Sequence, residues 1–173
     1  MIDAATLAAR DLTLRAACVD DAAFERILFE SARPDRALLS AALPRAALEL
    51  FLDQQFHFQT AYYARAYPKA AHLIVLAKDI AVGRLILDCG ARNWRVVDIA
   101  LLPQARGKGF GAALLRGVLN AAARAAAPSV SLTVELANPA RRLYEQLGFV
   151  VVEETPSGAA MEWRPPNAQL KTA

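Results

Sequence analysis

The stretch from Asp98 to Leu115, DIALLPQARGKGFGAALL, constrains the fold more than any other part of the chain. An apolar, strand-like run stops at Pro103, and an alanine-rich run with helical spacing begins near Gly109. Between them Gly107, Gly109 and Gly111 alternate with Lys108 and Phe110, and Arg106 stands in front. A helix N-terminus carries unpaired amides and the positive end of the helix dipole, so it favours an anion. Phosphate reaches those amides only where side chains are absent. The three glycines clear the approach, and Arg106 and Lys108 add positive charge. A strand–loop–helix phosphate nest explains this pattern better than a softened turn does.

Three phosphate motifs compete for the stretch. The NTPase P-loop ends in Gly-Lys-Ser/Thr, whereas Gly107-Lys108 is followed here by Gly109. The dinucleotide pattern G-x-G-x-x-G/A is met literally by Gly107, Gly109 and Ala112, and Glu135 closes the next strand about where a ribose-binding acid would lie. That reading fails on position. A dinucleotide fold opens with this unit and continues with several βα units, and only the chain from Val130 remains, ending in a hairpin. The third pattern, Q/R-x-x-G-x-G/A, is met by Gln104, Gly107 and Gly109.

The rest of the chain is read from periodicity and breakers. Leu12 to Ala16 alternates as a short strand, and a helix follows with Asp20 or Asp21 at its N-cap and Pro34 at its end. A second helical region runs from about Pro44 to Tyr67, rich in aromatic and amide residues between Phe51 and Tyr63. The segment AHLIVLAKDIAVGRLILDCG is a hairpin about Lys78-Asp79, and WRVVDIALL is the next strand. A helix from Gly109 to about Ala126, the strand VSLTVEL and the compact helix NPARRLYEQLG follow. In the last, Asn138 is the N-cap, Pro139 the first helical residue and Gly148 the stop. FVVVEE and AAMEWR close the chain as a hairpin about a Pro-Ser-Gly turn, and a frayed tail is expected from Pro165. The order implies a mixed α/β sheet with helices packed on it.

At 173 residues with 55% hydrophobic and 21% charged, the chain is expected to form one domain, residues 1–173, with a core over about 12–164. No apolar run approaches a membrane span, and the opening, with Asp3 and Asp11, is unlike a secretory signal. Cys18 and Cys89 lack metal-ligand spacing, with only His57 and His72 to join them, so no metal site is expected. Reduced thiols fit a cytoplasmic location. A net charge of +3 with scattered arginines gives no stripe for nucleic acid.

Two segments together resemble the GNAT superfamily of acetyltransferases. QARGKG resembles its motif A. LANPARRLYEQLGFVVVE, with Asn138, Ala140, Leu143, Tyr144 and Gly148-Phe149, resembles its motif B, one helix and one strand later. The likeness covers roughly Leu12 to Trp163. It implies a central, mostly antiparallel sheet splayed between two parallel strands, with helices on both faces. It also implies transfer of an acetyl group from acetyl-CoA to a primary amine of a small-molecule or peptide acceptor, by a monomer or homodimer with no metal, nucleic acid or membrane partner.

The resemblance carries roles onto particular residues. Ala100, Leu101 and Leu102 supply backbone to the pantetheine arm. Gln104, Arg106, Gly107, Lys108, Gly109, Phe110 and Gly111 surround the pyrophosphate. Arg106 and Lys108 meet the adenosine-side phosphates or are ordinary solvated charge. Tyr144 matches the acid that meets the departing thiolate, and Asn138, besides capping its helix, lies near the pantetheine or the sulfur. Asp98 is the candidate base or, alternatively, the partner of a nearby arginine; Glu135 and a bound water are the other candidates. The Gln54 to Tyr63 face is either acceptor-site lining or core. A CoA-binding module without turnover is the alternative to an enzyme.

Overall fold

The computed structural model describes residues 2–90, 92–156 and 158–166, so the expected tail beyond 166 and Ser157 of the last turn lie outside the described residues. Seven strands form one sheet in the order β1-β2-β3-β4-β5-β7-β6. In chain order they are β1 Leu12–Ala16, β2 Ala71–Ala77, β3 Ile80–Asp88, β4 Trp94–Leu101, β5 Val130–Val134, β6 Val150–Thr155 and β7 Gly158–Trp163. All neighbours are antiparallel except β4 and β5. This single parallel junction also disposes of the dinucleotide reading, which needs a series of parallel strands.

The helices are α1 Ala4–Ala8, α2 Ala22–Ala32, α3 Arg36–Ala42, α4 Arg45–Ala66, α5 Phe110–Arg124 and α6 Ala140–Gln146. One face of the sheet makes the main core with α1, α5 and α6, through Leu7, Val75, Leu85, Val96, Leu114 and Val118. The helices α2, α3 and α4 build a smaller core of Phe29, Leu48, Leu52 and Phe56, with Leu39 and Leu43 against it. The sequence reading missed α1 and α3. Each is too short to show a full hydrophobic period.

Local chemistry fixes the sheet. Lys78 and Asp79 both take positive φ, +49° and +66°, as a tight two-residue hairpin between right-twisted strands requires. A Cβ on Gly83 would come within 2.4 Å of the Ala100 carbonyl oxygen, so only glycine lets β3 lie against β4 there. On β4, Asp98 pairs with Ile86 and Val96 with Leu87, leaving Val97 as the extra residue of a bulge. The edge strand β6 is exposed along its whole length.

Candidate active site

The parallel pair β4–β5 is joined at only two positions, Trp94 with Val130 and Arg95 with Ser131. Beyond them β4 has no strand partner on that side among the described residues, and the strands diverge into a gap. Which β4 groups face the gap follows from alternation. The Leu102 amide donates to the Val82 carbonyl (2.9 Å), so Leu102 and, two residues back, Ala100 turn their polar groups toward β3. Ile99 and Leu101 turn theirs to the gap. Of Ala100, Leu101 and Leu102, named from the sequence, only Leu101 therefore offers backbone to a ligand there. Ile99, not named, joins it.

A 3-10 turn over Pro103–Ala105 ends β4, with Gln104 exposed. The chain then passes through Gly107 at φ +72° and Gly109 at φ +78°, the latter the N-cap of α5. Such values favour glycine. The Ala113 amide donates to the Gly109 carbonyl (3.0 Å), while the amides from Gly107 to Ala112 meet no acceptor among the described residues. The Phe110 side chain packs on the main core, so only its amide belongs to the loop face. The nest inferred from the sequence is present as geometry.

Its charges are arranged differently from the sequence expectation. Arg106 Nε donates to the Leu101 carbonyl (2.9 Å) and its Nη2 to the Ser31 carbonyl (2.9 Å), while its amide donates to Pro103 (3.2 Å). Arg106 thus clamps the end of β4 to α2 through Nε and Nη2. Lys108 is exposed and its carbonyl receives Arg10 Nη1 at 3.4 Å. Sequence reasoning passed over Arg10, which is remote in the chain. It also placed the glycine pattern at Gln104, Gly107 and Gly109, although Arg106, Gly109 and Gly111 meet the same pattern two residues later, across the true helix start.

Across the gap, α6 begins with the Asn138 Oδ1 accepting from the Ala140 amide (2.9 Å), so the capping role is observed. It ends in a Gly148 turn at φ +89°, with the Phe149 amide donating to the Tyr144 carbonyl (3.0 Å). Tyr144 is only 7% exposed and packs edge-on against Phe149, with ring centroids 6.0 Å apart. Among the described residues its hydroxyl meets no hydrogen-bond partner, and no buried side-chain oxygen lacks one. The ring is therefore core and the hydroxyl reaches water. Burial first, and the Asp98 charge second, push its phenol up to about 12.

On the opposite face lies a chain of buried charge. Arg84, 3% exposed, places Nε and Nη2 on Asp98 Oδ2 (2.9 and 2.8 Å), Nη1 on Glu25 (3.3 Å) and Nη2 on Gln59 (3.3 Å). Glu25 Oε1 lies 2.6 Å from His72 Nε2. Burial would raise the Glu25 carboxyl, but His72 and Arg84 outweigh it and hold it below the usual range. Asp98 is thus the partner of an arginine, the alternative raised from its sequence position. Tyr63 of α4 is pushed up to about 12 by burial and by Asp98. Of the aromatic stretch on α4, Phe56 is core, Phe58 and Tyr62 are exposed, and Tyr63 is half-buried. Glu135 is exposed just beyond β5. Nothing in the sequence links Glu25, Gln59, His72 and Arg84, which lie on four different elements.

The sequence model of the acetyltransferase (GNAT) domain matches residues 68–151, from the start of β2 into β6. Over that stretch, just under half of the chain, the sequence is similar to the GNAT acetyltransferase domain. Solved structures agree with its GNAT fold. The PaiA N-acetyltransferase of Thermoplasma acidophilum, in complex with coenzyme A, superposes with a TM-score of 0.67 at 15% identity, over 89% of this chain and 99% of that one. PH1933 from Pyrococcus horikoshii gives 0.66 at 19%, over 89% and 98%. Arabidopsis thaliana Naa50, bound to the bisubstrate analogue CoA-Ac-MVNAL, gives 0.60 at 18%, over 88% and 97%. No curated protein matches in sequence. Among the described residues, no group of three or more His, Cys, Asp or Glu is placed to hold a metal, and no helix is long and apolar enough to cross a membrane.

Proposed function

We propose that this GNAT protein transfers an acetyl group from acetyl-CoA to a primary amine. The observation that carries the reading is the gap between β4 and β5, which opens onto the unpaired amides of the glycine loop. The residues fit the cosubstrate. An extended pantetheine arm can pair with Ile99 and Leu101 as an added strand would, and the amides from Gly107 to Ala112 suit the pyrophosphate.

The reaction needs a neutral amine at the thioester carbonyl, a donor for the oxyanion and a group to meet the sulfur. The amine nitrogen bonds to the acyl carbon, the C–S bond breaks with its electron pair on sulfur, and one ammonium proton passes to a base. The Leu101 amide, at the mouth of the gap, is the candidate oxyanion donor. Tyr144 is the candidate at the sulfur. With its phenol near 12 it holds its proton more tightly than a thiol of ordinary pKa, about 8.5. Its contribution is then a hydrogen bond that strengthens as charge builds on sulfur. Asn138, its oxygen engaged in the cap, can offer only its amide nitrogen there. Asp98 is anchored to Arg84 through Oδ2, and its Oδ1 has no partner among the described residues, leaving that oxygen, Glu135 or a water to take the proton.

Two carboxylates, Glu25 and Asp98, stand against the single guanidinium of Arg84, which favours a cationic acceptor. The same ion pair favours a second reading, a CoA-binding module without turnover, because it engages the candidate base. A panel of polyamines, amino acids, aminoglycosides and peptide N-termini, assayed with acetyl-CoA for thiol release, decides between them. Turnover on any amine supports the enzyme. Saturable acetyl-CoA binding without turnover across the panel supports the module.

A further inference from the structure

Arg15, Arg33 and Arg141 each hold a carboxylate. The cations at the glycine loop are placed differently. Among the described residues no carboxylate pairs with Arg10 or Lys108, and Arg106 is bound only to carbonyls.

The placement of Arg10 is built by α1. That helix lies against α5 through buried Leu7 and through the Asp3 amide, which donates to the Gly117 carbonyl (3.2 Å). Asn120 Nδ2 reaches Asp3 Oδ2 and Thr6 Oγ1, both at 3.2 Å. After α1, Asp11 takes φ +54° and turns the chain into β1. None of these anchors uses the Arg10 side chain. It is therefore free to project from the turn, and its guanidinium lies over Gly109. A Cβ on Gly109 would stand 3.3 to 3.5 Å from Nη1, Cζ and Nη2. Among the described residues, the one side-chain bond Arg10 makes, to the Lys108 carbonyl, is long at 3.4 Å.

We propose that Arg10 is the arginine of the cofactor site. Its guanidinium binds a phosphate of the nucleotide half of acyl-CoA, seated on the loop amides, while Arg106 maintains the shape of the loop. The proposal rests on the CoA reading above. A planar fork matches a phosphate in two bonds, and a charge-assisted contact is shorter and stronger than the long neutral one that Arg10 makes to Lys108. Exchange of the Lys108 carbonyl for a phosphate needs only a side-chain rotation at an exposed position.

Calorimetric titration of CoA and of 3′-dephospho-CoA into wild type, Arg10→Ala and Arg10→Gln tests this. Arg10→Gln keeps a donor near the Lys108 carbonyl and removes only the charge and the fork. The expected result is CoA affinity weaker by about ten- to a hundredfold in both variants, with the ligand-free melting temperature unchanged. Equal loss for both nucleotides assigns Arg10 to the pyrophosphate, and loss confined to CoA assigns it to the 3′-phosphate. Wild-type binding with unchanged affinity in both variants overturns the role of Arg10 alone. A wild type that binds neither nucleotide overturns the CoA reading together with it.

Discussion

The two sides of the β4–β5 gap are built by different means. On the side proposed for the cofactor, the groups on offer are backbone: Ile99, Leu101 and the amides from Gly107 to Ala112 are held by neighbours close in sequence, such as the Arg106 clamp on Leu101. On the side proposed for the acceptor, the structure depends on side chains brought together from afar, with Arg84 meeting Glu25 and Gln59 of other segments. Backbone sites depend on φ, ψ and the absence of Cβ atoms, so they tolerate varied neighbours but not the loss of a glycine. Buried charge networks fail when any one partner is removed. The two sides should therefore break separately.

The largest effect is expected from Gly109→Asp. It places a side chain at φ +78° beside the Arg10 guanidinium and a negative charge in the nest. Protection by acetyl-CoA in a thermal melt should vanish, while the ligand-free protein still folds. A normal acetyl-CoA shift in this variant would mean that the glycine loop is not the phosphate site.

Arg84→Ala should do the reverse. Leaving Glu25 and Asp98 unpaired in a buried site costs about 3–5 kcal/mol, read as a lower denaturant midpoint. The fraction still folded should bind acetyl-CoA normally, because no proposed cofactor contact runs through Arg84. A parallel loss of CoA affinity would show that the two sides are coupled.

Next in size is Tyr144→Phe, which keeps the edge contact with Phe149 and removes the hydroxyl. A fall in kcat of about 10²-fold with unchanged KM for acetyl-CoA is expected. Loss of stability in proportion to loss of activity would reduce Tyr144 to a packing residue.

The smallest effects are on pH dependence. The Glu25 carboxyl is lowered in the fold, so its contribution to stability is complete above its unfolded value near 4.5 and is lost as pH falls through its lower folded value. Glu25→Gln should flatten the acid limb of a stability profile. The Tyr144 phenol is raised, so its contribution is complete below about pH 10 and is lost as pH rises through about 12. Tyr144→Phe should remove part of that alkaline limb.

What could be read from the sequence follows the same division. The hairpin about Lys78-Asp79, the strand ending at Pro103 and the α6 cap at Asn138 have local causes, and each stands where its local signal put it. The glycine loop was legible for the same reason, although its pattern fits in two registers and only the start of α5 at Phe110 decides between them. The clamp made by Arg106 was not legible, because a sequence shows a cation but not the carbonyls of Leu101 and Ser31 that it meets. Arg10 was invisible because α1 folds back on α5 across about a hundred residues. The Glu25–Arg84–Asp98 chain has no periodicity, since each member contributes one side chain from a different element.

The central claim, that the gap and the glycine loop form one acyl-CoA site, is tested most directly by amide chemical-shift mapping during a titration with acetyl-CoA. Saturable shifts should concentrate at Ile99, Leu101 and the amides from Gly107 to Ala112, with the α3 amides from Arg36 to Ala42 unmoved and with no response to NAD at the same concentrations. Shifts clustered away from the β4–β5 gap, or a response to NAD and none to acetyl-CoA, would contradict it.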